Sequence, residues 1–327
     1  DSVTVSEGTA RVSLSAEVLS ADEDQQALML IQLLESLRTV PALVSVQALV
    51  GDTQMVVEGE LPDLLRNPYI SASPLVIADG QPQRFTGGEL TPLMGAGLAA
   101  DPRVPALPYD DAPGRPVALD GTDRLVTLPD GNDTGMVLAE GTDLVAPSID
   151  RFGWTWTTPR VSDGTVQAYQ PNGASSSVTA SWLEDATVRA LRISRDATRA
   201  LVVRENDGVV QAEVAAVMRD PDGRPVSLGD PVVICEMLVT AGDATWVDEQ
   251  TVAVLGTSGA DTTTAVHLVT IGGPTTVLPA IEGATRVVAG TGDRSLIVGT
   301  EDGSLYERNG LGWTLTGSDV YDPTLPG

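Results

Sequence analysis

Few side chains in this chain are suited to nucleophilic or acid–base catalysis. The sequence contains one histidine, His267, and one cysteine, Cys235, and all 19 of its basic residues are arginine. Because Schiff-base enzymes and P-loop nucleotide-binding proteins both need a lysine amine, the absence of lysine excludes these two classes. A Ser-His-Asp triad would have to use His267, and a zinc cluster of several cysteines and histidines cannot be assembled.

His267 and Cys235 both lie in patterns that are typical of buried strands. Apolar residues surround His267 in the segment 265–269, and Cys235 ends the apolar run Val232–Cys235. We therefore interpret His267 as a structural or edge position rather than a general base. Cys235 is interpreted as a small buried hydrophobic residue rather than a nucleophile.

Carboxylates are the abundant reactive groups. The 45 acidic residues outnumber the 19 arginines and give a formal net charge of −26. Glycoside hydrolysis requires two carboxylates at a set separation, but the sequence does not single out a pair among so many. The acidity favours solubility, and it would repel a phosphate backbone, so nucleic acid is excluded as a partner.

Three short motifs resemble ligand sites but fit connectors and turns better. Residues 95–100 have the spacing of a dinucleotide fingerprint, yet a proline lies on each side where a strand and a helix are required. Residues 130–135 begin like a calcium loop, but position 12 of that loop is Gly141 rather than Glu. Residues 220–223 can likewise be interpreted as the start of a calcium loop or as an acidic hairpin. We predict a connector, two acidic hairpins, no metal and no cofactor.

Arg151, Trp154 and Trp156 form the most informative cluster. The two tryptophans at i and i+2 lie on the same face of a strand, which indicates packing between sheets. The alternative is an exposed patch of the residue types that are enriched at binding hot spots. These three residues are the candidate partner-binding site, and no catalytic residue is predicted.

Residues 1–60 have the pattern of a small α+β module with one helix on a sheet. Strand patterns flank one helix, for which Ser20 and Glu23 predict a capping box and Pro41 predicts the end. The leucines at i, i+3, i+4 and i+7 that form its apolar stripe are Leu30, Leu33, Leu34 and Leu37.

The remainder repeats a short pattern with a period of about 43 residues, which is typical of the four-stranded blades of a propeller. In each repeat, a small residue or Trp is followed two positions later by an acidic residue, and a short apolar strand comes next. An Asp-Gly turn then leads into the following strand. We predict a mainly β fold, with a five- or six-bladed β-propeller over residues 68–318. Residues 61–67 would be a junction and residues 319–327 a tail.

The chain resembles the actinobacterial LpqB lipoprotein family, in which a GerM-type domain precedes a β-propeller. The segments that carry the resemblance are 25–29, 40–46, 152–157, 191–196, 199–203 and 219–223. Residues 1–60 resemble only the C-terminal part of a GerM-type domain. We therefore expect the natural protein to extend upstream to a lipid-bearing cysteine.

This resemblance implies a non-catalytic extracytoplasmic lipoprotein, anchored to the outer face of the cell membrane by its lipid. It would modulate a two-component system of the MtrA–MtrB type by binding the extracellular domain of the sensor histidine kinase. The alternatives are a propeller hydrolase, or a carbohydrate- or peptidoglycan-binding module with exposed aromatic residues. The net charge leads us to expect a monomer that binds a basic surface. The two-module layout leads us to expect an interface that spans both modules.

Overall fold

The computed structural model describes residues 2–6, 8–37, 43–57, 70–93, 99–110, 112–129, 135–259 and 263–327. The chain divides into two units, Asp1–Arg66 and Asn67–Gly327. The predicted junction at 61–67 lies outside the described residues, as do Pro41, Gly95 and Gly97 of the predicted motifs and residues 130–134.

Unit 1 is a four-stranded sheet with one helix. Its elements are β1 Ser2–Ser6, β2 Thr9–Leu14, a 3₁₀ turn at Ala16–Ser20, α1 Glu23–Leu37, β3 Ser45–Val50 and β4 Thr53–Gln54. Strands β1 and β2 pair antiparallel, whereas β2 and β3 pair parallel, so α1 lies on the connection between two parallel strands. The helix is most buried at Ala27 and Ile31, one turn apart.

The start of α1 differs from the predicted capping box. The helix begins at Glu23, so Asp22 is the capping residue, and its carboxylate accepts the Gln25 backbone N–H at 2.8 Å. Ser20 instead ends the preceding 3₁₀ turn and donates its hydroxyl to the Glu17 carbonyl. The prediction failed because Ser and Asp are both strong capping residues and lie two positions apart.

The described part of unit 2 consists of six successive groups of four strands, called blades 1 to 6 below. Blade 1 contains β5 Leu75–Ala78, β6 Gln81–Thr86 and β7 Glu89–Pro92. Blade 2 contains β8 Pro102–Ala106, β9 Val117–Asp120, β10 Arg124–Thr127 and β11 Val137–Glu140. Blade 3 contains β12 Ser148–Ile149, β13 Thr155–Thr157, β14 Thr165–Tyr169 and β15 Ser175–Thr179. Blade 4 contains β16 Thr187–Ile193, β17 Arg199–Asn206, β18 Val209–Arg219 and, after the short β19 Pro225–Leu228, β20 Val232–Cys235. Blades 5 and 6 contain β21 Leu238–Trp246, β22 Thr251–Ser258, β23 Ala265–Thr270 and β24 Thr275–Val277; and β25 Ala284–Ala289, β26 Leu296–Thr300, β27 Leu305–Asn309 and β28 Gly312–Gly317. The last strand is β29 Tyr321–Thr324.

Residues 319–327 are not a tail. Strand β29 pairs antiparallel with β5, with Tyr321 opposite Ile77 and Thr324 opposite Leu75, and it supplies the fourth strand of blade 1. Because blade 1 has only three strands of its own, its apolar strand β5 would otherwise carry an unpaired edge. The C-terminal segment thus joins the two ends of unit 2 into a ring.

Blades 3 and 4 share one sheet. Strand β18 has 11 residues, and its C-terminal part pairs with β19, which in turn pairs parallel with β15 of blade 3. The two blades therefore form a nine-stranded sheet, whereas each of the other four blades is a separate four-stranded sheet.

The core of unit 2 lies between neighbouring blades. Most residues of β5, β22 and β26, and the run Ala200–Val203 of β17, are buried on both faces, so these strands lack the alternation of a one-sided sheet. One apolar cluster joins blades 3 and 4 around Trp156 and Leu191, and another joins blades 4 and 5 around Leu201 and Trp246. Among the described residues, no helix has the length and apolar character needed to cross a membrane.

Candidate functional site

Strand β29 of blade 1 and the first strands of the other blades surround a central cavity, called the axial cavity below. Strand β16 contacts β21, β21 contacts β25, and β29 contacts both β25 and β8. The cavity has a volume of about 20 Å³, which is enough for one water molecule or one small ion. Its side-chain lining comes from every blade and includes Tyr109, Arg192, Arg195, Trp246, Arg286 and Leu325.

A buried ion-pair network forms one wall of this cavity. The Asp243 carboxylate lies 3.1 Å from Arg192 and 3.3 Å from Arg286, and it also accepts the Val287 backbone N–H at 3.0 Å. Arg192 donates further hydrogen bonds to the carbonyls of Ala146 and Leu191. Burial lowers the pKa of Arg192 to about 10, against the opposing effect of Asp243, so Arg192 is charged at neutral pH.

Arg195 and Tyr109 form the neighbouring wall. Arg195 donates through Nη2 to the carbonyls of Gly290 and Trp246, which belong to blades 6 and 5. Burial lowers the pKa of Arg195 and raises that of Tyr109, so the phenol is neutral and can act as a donor. Sequence reasoning missed the arginines of this cavity because they are spread over two blades and only the ring brings them together.

The predicted cluster of Arg151, Trp154 and Trp156 lies at the β12–β13 turn. Trp156 is fully buried and Trp154 is 8% exposed, and both belong to the cluster between blades 3 and 4. The tryptophan rings therefore pack between the blades, as the first of the two interpretations proposed. Arg151, at the turn itself, is partly exposed.

Asp150 fixes the shape of this turn. Its carboxylate is fully buried and accepts the backbone N–H groups of Phe152 and Trp154 at 2.9 and 3.0 Å, and the Trp156 indole N–H at 2.9 Å. It also pairs with Arg219 of β18 at 2.6 Å. Gly153 has φ +79°, and a Cβ there would lie 2.5 Å from the Pro113 carbonyl oxygen, so the turn requires glycine.

Phe152 is the exposed aromatic residue of this turn, and the sequence did not single it out. Its side chain is 48% exposed, and the Arg219 guanidinium lies 4.8 Å from its ring centroid. We call Arg151, Phe152 and Arg219 the Phe152 patch. An apolar residue between an arginine and a glycine in a polar turn was the available signal, but the partner, Arg219, lies 67 residues later in the chain.

His267 and Cys235 occupy the buried positions expected of them. His267 is fully buried on β23 between Val254 and Val277 of the adjacent strands, and neither ring nitrogen has a hydrogen-bond partner among the described residues. Burial lowers the pKa of His267 and raises that of Cys235, so each group stays neutral at pH 7. Neither residue lines the axial cavity.

The acidic motifs do not gather into a metal site in the described part of the chain. No group of three or more His, Cys, Asp or Glu side chains there is placed to hold a metal ion. Asp220 instead accepts the backbone N–H groups of Asp222 and Arg224, which is the hydrogen bonding of a turn.

The other tryptophans do not line a common groove. Trp246 is buried, and Arg199 lies 4.8 Å from its ring centroid. Trp182 and Trp313 are partly buried against different apolar clusters, and their indole N–H groups donate to the carbonyls of Gly229 and Pro279. No observation here favours a carbohydrate-binding surface.

Comparison with solved structures places the fold among β-propellers. TolB from Acinetobacter baumannii aligns with a TM-score of 0.51 at 12% identity, over 78% of this chain and 66% of that chain. A putative 6-phosphogluconolactonase from Bacteroides fragilis NCTC 9343 aligns with a TM-score of 0.43 at 15% identity, over 81% of this chain and 99% of that one. A functionally unknown protein from Desulfotomaculum acetoxidans DSM 771 aligns with a TM-score of 0.44 at 16% identity, over 75% of this chain and 78% of that one.

Sequence comparison identifies the family. No curated protein matches the chain. Residues 80–326, about three quarters of the chain, match the family described as the lipoprotein LpqB beta-propeller domain. The predicted mainly β propeller fold is confirmed, and the chain belongs to the LpqB β-propeller family.

Proposed function

We propose that this chain is a non-catalytic binding module outside the cytoplasmic membrane. In this proposal it modulates a sensor histidine kinase of the MtrB type by contacting the kinase's extracellular domain. Membership in a lipoprotein family supports an extracytoplasmic location. The only histidine and the only cysteine are buried away from the axial cavity, which supports a role in binding rather than in catalysis.

The Phe152 patch is the observation that carries this proposal. Phe152 exposes an aromatic ring on a turn that Asp150 holds through four hydrogen bonds, and Arg219 is stacked against the ring. Aromatic and arginine side chains that are fixed before binding lose little conformational entropy on association, and they are enriched at hot spots. The surrounding net charge of −26 would favour a partner with a basic rim.

A calorimetric titration of this chain against the purified extracellular domain of the kinase tests the proposal. Phe152→Ala should weaken binding by about 30-fold, which corresponds to a hot-spot loss of about 2 kcal/mol. Leu311→Ala is the matched control, because Leu311 is 85% exposed on blade 6 and lies outside the patch. Arg151→Ala should weaken binding to a smaller extent than Phe152→Ala.

Salt provides a second readout in the same experiment. If charges at the rim of the interface steer association, affinity should fall between 0.1 and 1 M salt, since the Debye length shrinks from about 10 Å to about 3 Å. Absence of binding by the unmodified chain at both salt concentrations would overturn the kinase proposal. Equal affinities of the Phe152 and Leu311 variants would overturn the assignment of the patch.

A further inference from the structure

We propose that the axial cavity binds one small monovalent anion, a halide ion or the carboxylate group of a small molecule, between Arg195 and Tyr109. This site is distinct from the Phe152 patch and does not depend on the proposed function. Three observations support it: the local charge, the unpaired donors and the size of the cavity.

The cavity concentrates positive charge in a strongly acidic protein. Three arginines line it, namely Arg192, Arg195 and Arg286, and no acidic side chain is among its described lining residues. Asp243 is the one carboxylate that pairs with these arginines in the described chain, and it contacts Arg192 and Arg286 but not Arg195. Uncompensated buried charge is unfavourable, and a bound anion would lower its cost.

Other titratable groups act on the site from a greater distance. Asp248 and Glu249 act electrostatically on Arg195, and Asp150 and Asp196 act on Tyr109, without a hydrogen bond to either. The backbone of Gly327 also lines the cavity, and within the described residues it forms no ion pair with an arginine. None of these groups supplies a direct acceptor for Arg195 Nη1.

Three donors of the lining residues have no hydrogen-bond partner. Arg195 Nη1, Arg286 Nε and the Tyr109 hydroxyl are all buried and unpaired among the residues that the structure describes. The great majority of buried donors in proteins have a hydrogen-bond partner, so three unpaired donors around one cavity indicate a missing acceptor. An anion can accept hydrogen bonds from donors of this kind and also compensates the positive charge, whereas an uncharged acceptor would leave that charge uncompensated.

The size of the cavity limits the ligand. A volume of about 20 Å³ accommodates one water-sized sphere, so a halide ion or a carboxylate group fits and a larger multivalent anion does not. Thr245, Val288 and Leu325 also line the cavity.

Thermal unfolding in defined anions tests the proposal. The chain is heated at constant ionic strength in sodium isethionate, a bulky sulfonate without a carboxylate group, with increasing replacement of isethionate by bromide or by acetate. A ligand that binds only the folded state raises Tm with its concentration. We expect a saturable rise with at least one of the two anions. Bromide alone would identify a halide site, and acetate alone a carboxylate site. No saturable rise with either would overturn the proposal.

Two variants and a control make the test specific. Arg195→Gln and Tyr109→Phe should each weaken the apparent anion affinity at least tenfold, and Tyr109→Phe keeps the shape of the ring if the arginine variant does not fold. Arg103→Gln removes a surface arginine that is 57% exposed, and it should leave the affinity unchanged. Retention of full affinity by Tyr109→Phe would overturn the assignment. If bromide raises Tm, absence of anomalous bromide scattering beside Arg195 in crystals grown with bromide would overturn it as well.

Discussion

Asp150 shows how one buried carboxylate can determine the shape of a surface turn. Both of its oxygens are fully used, by two backbone N–H groups, one indole and one guanidinium. Because every one of these partners is a donor, the site requires two acceptor oxygens, which an amide side chain does not have. The exposed position of Phe152 therefore depends on a side chain that a binding partner would not contact.

Asp150→Asn should strongly destabilise unit 2. The amide nitrogen would face donors from Trp156 or Arg219, and Arg219 would lose its buried counter-charge. We expect the free energy of unfolding to fall by about 3–5 kcal/mol, as measured by urea denaturation. Asp163→Asn is the matched control, because Asp163 also accepts turn hydrogen bonds, from Thr165, but is exposed. A loss as small as that of the control would contradict the role of Asp150.

His267 should make stability depend on pH. Burial lowers its pKa in the folded state below the usual value of about 6.5, so the unfolded chain takes up a proton first as the pH falls. The contribution of His267 to stability is therefore complete above about pH 6.5 and decreases below it, by at most about 1.4 kcal/mol per pH unit.

Urea denaturation between pH 7.5 and 5.5 would measure this effect. His267→Leu should reduce the decrease in stability over this range relative to the unmodified chain. Val266→Ala, at a buried position of the same strand, should lower stability at every pH and leave the pH dependence unchanged. Parallel pH curves for the unmodified chain and the His267 variant would show that the histidine is not responsible.

At this scale the sequence predicted burial better than it predicted contacts. The packing of Trp154 and Trp156 followed from their spacing, and the buried positions of His267 and Cys235 followed from their apolar neighbours. The Asp150–Arg219 pair could not be predicted, because its members are 69 residues apart and either could have paired with a nearer charge.

At the scale of elements, Asp-Gly turns set the register of the hairpins. Asp79-Gly80 joins β5 to β6 and Asp207-Gly208 joins β17 to β18, and all four residues have positive φ. This conformation matches the twist of paired strands, which is why the turns could be recognised in the sequence. Strands β19 and β29 could not be predicted as linking elements, because their partners are remote in the chain.

Replacing β29 should weaken the whole ring. Substitution of Tyr321–Thr324 by four glycines removes the strand that completes blade 1, so we expect Tm to fall by about 10 °C, for a loss of about 3–5 kcal/mol. Substitution of Thr275–Val277 by three glycines is the control, because β24 is the mostly exposed outer strand of blade 5. Scanning calorimetry would measure both variants, and equal shifts would contradict a closing role for β29.

At the scale of the whole molecule, the charged residues are unevenly distributed between the interior and the surface. The net charge is −26, yet several arginines are buried or partly buried in unit 2, where they pair with Asp150, Asp243 and Glu213 or line the axial cavity. The exposed surface is consequently more acidic than the composition alone suggests. Mutual repulsion between such surfaces is the reason to expect a monomer in solution, which sedimentation can measure.

The pairing of β5 with β29 also imposes an order on biosynthesis. Leu75 leaves the ribosome roughly 250 residues before Thr324, its partner in the finished sheet. At about 5–20 residues per second, the apolar strand β5 waits on the order of ten to fifty seconds for its neighbour. During that interval its edge is open to strands of other nascent chains. The ring of unit 2 can therefore close only after Thr324 has been synthesised, even if other parts of the unit fold earlier.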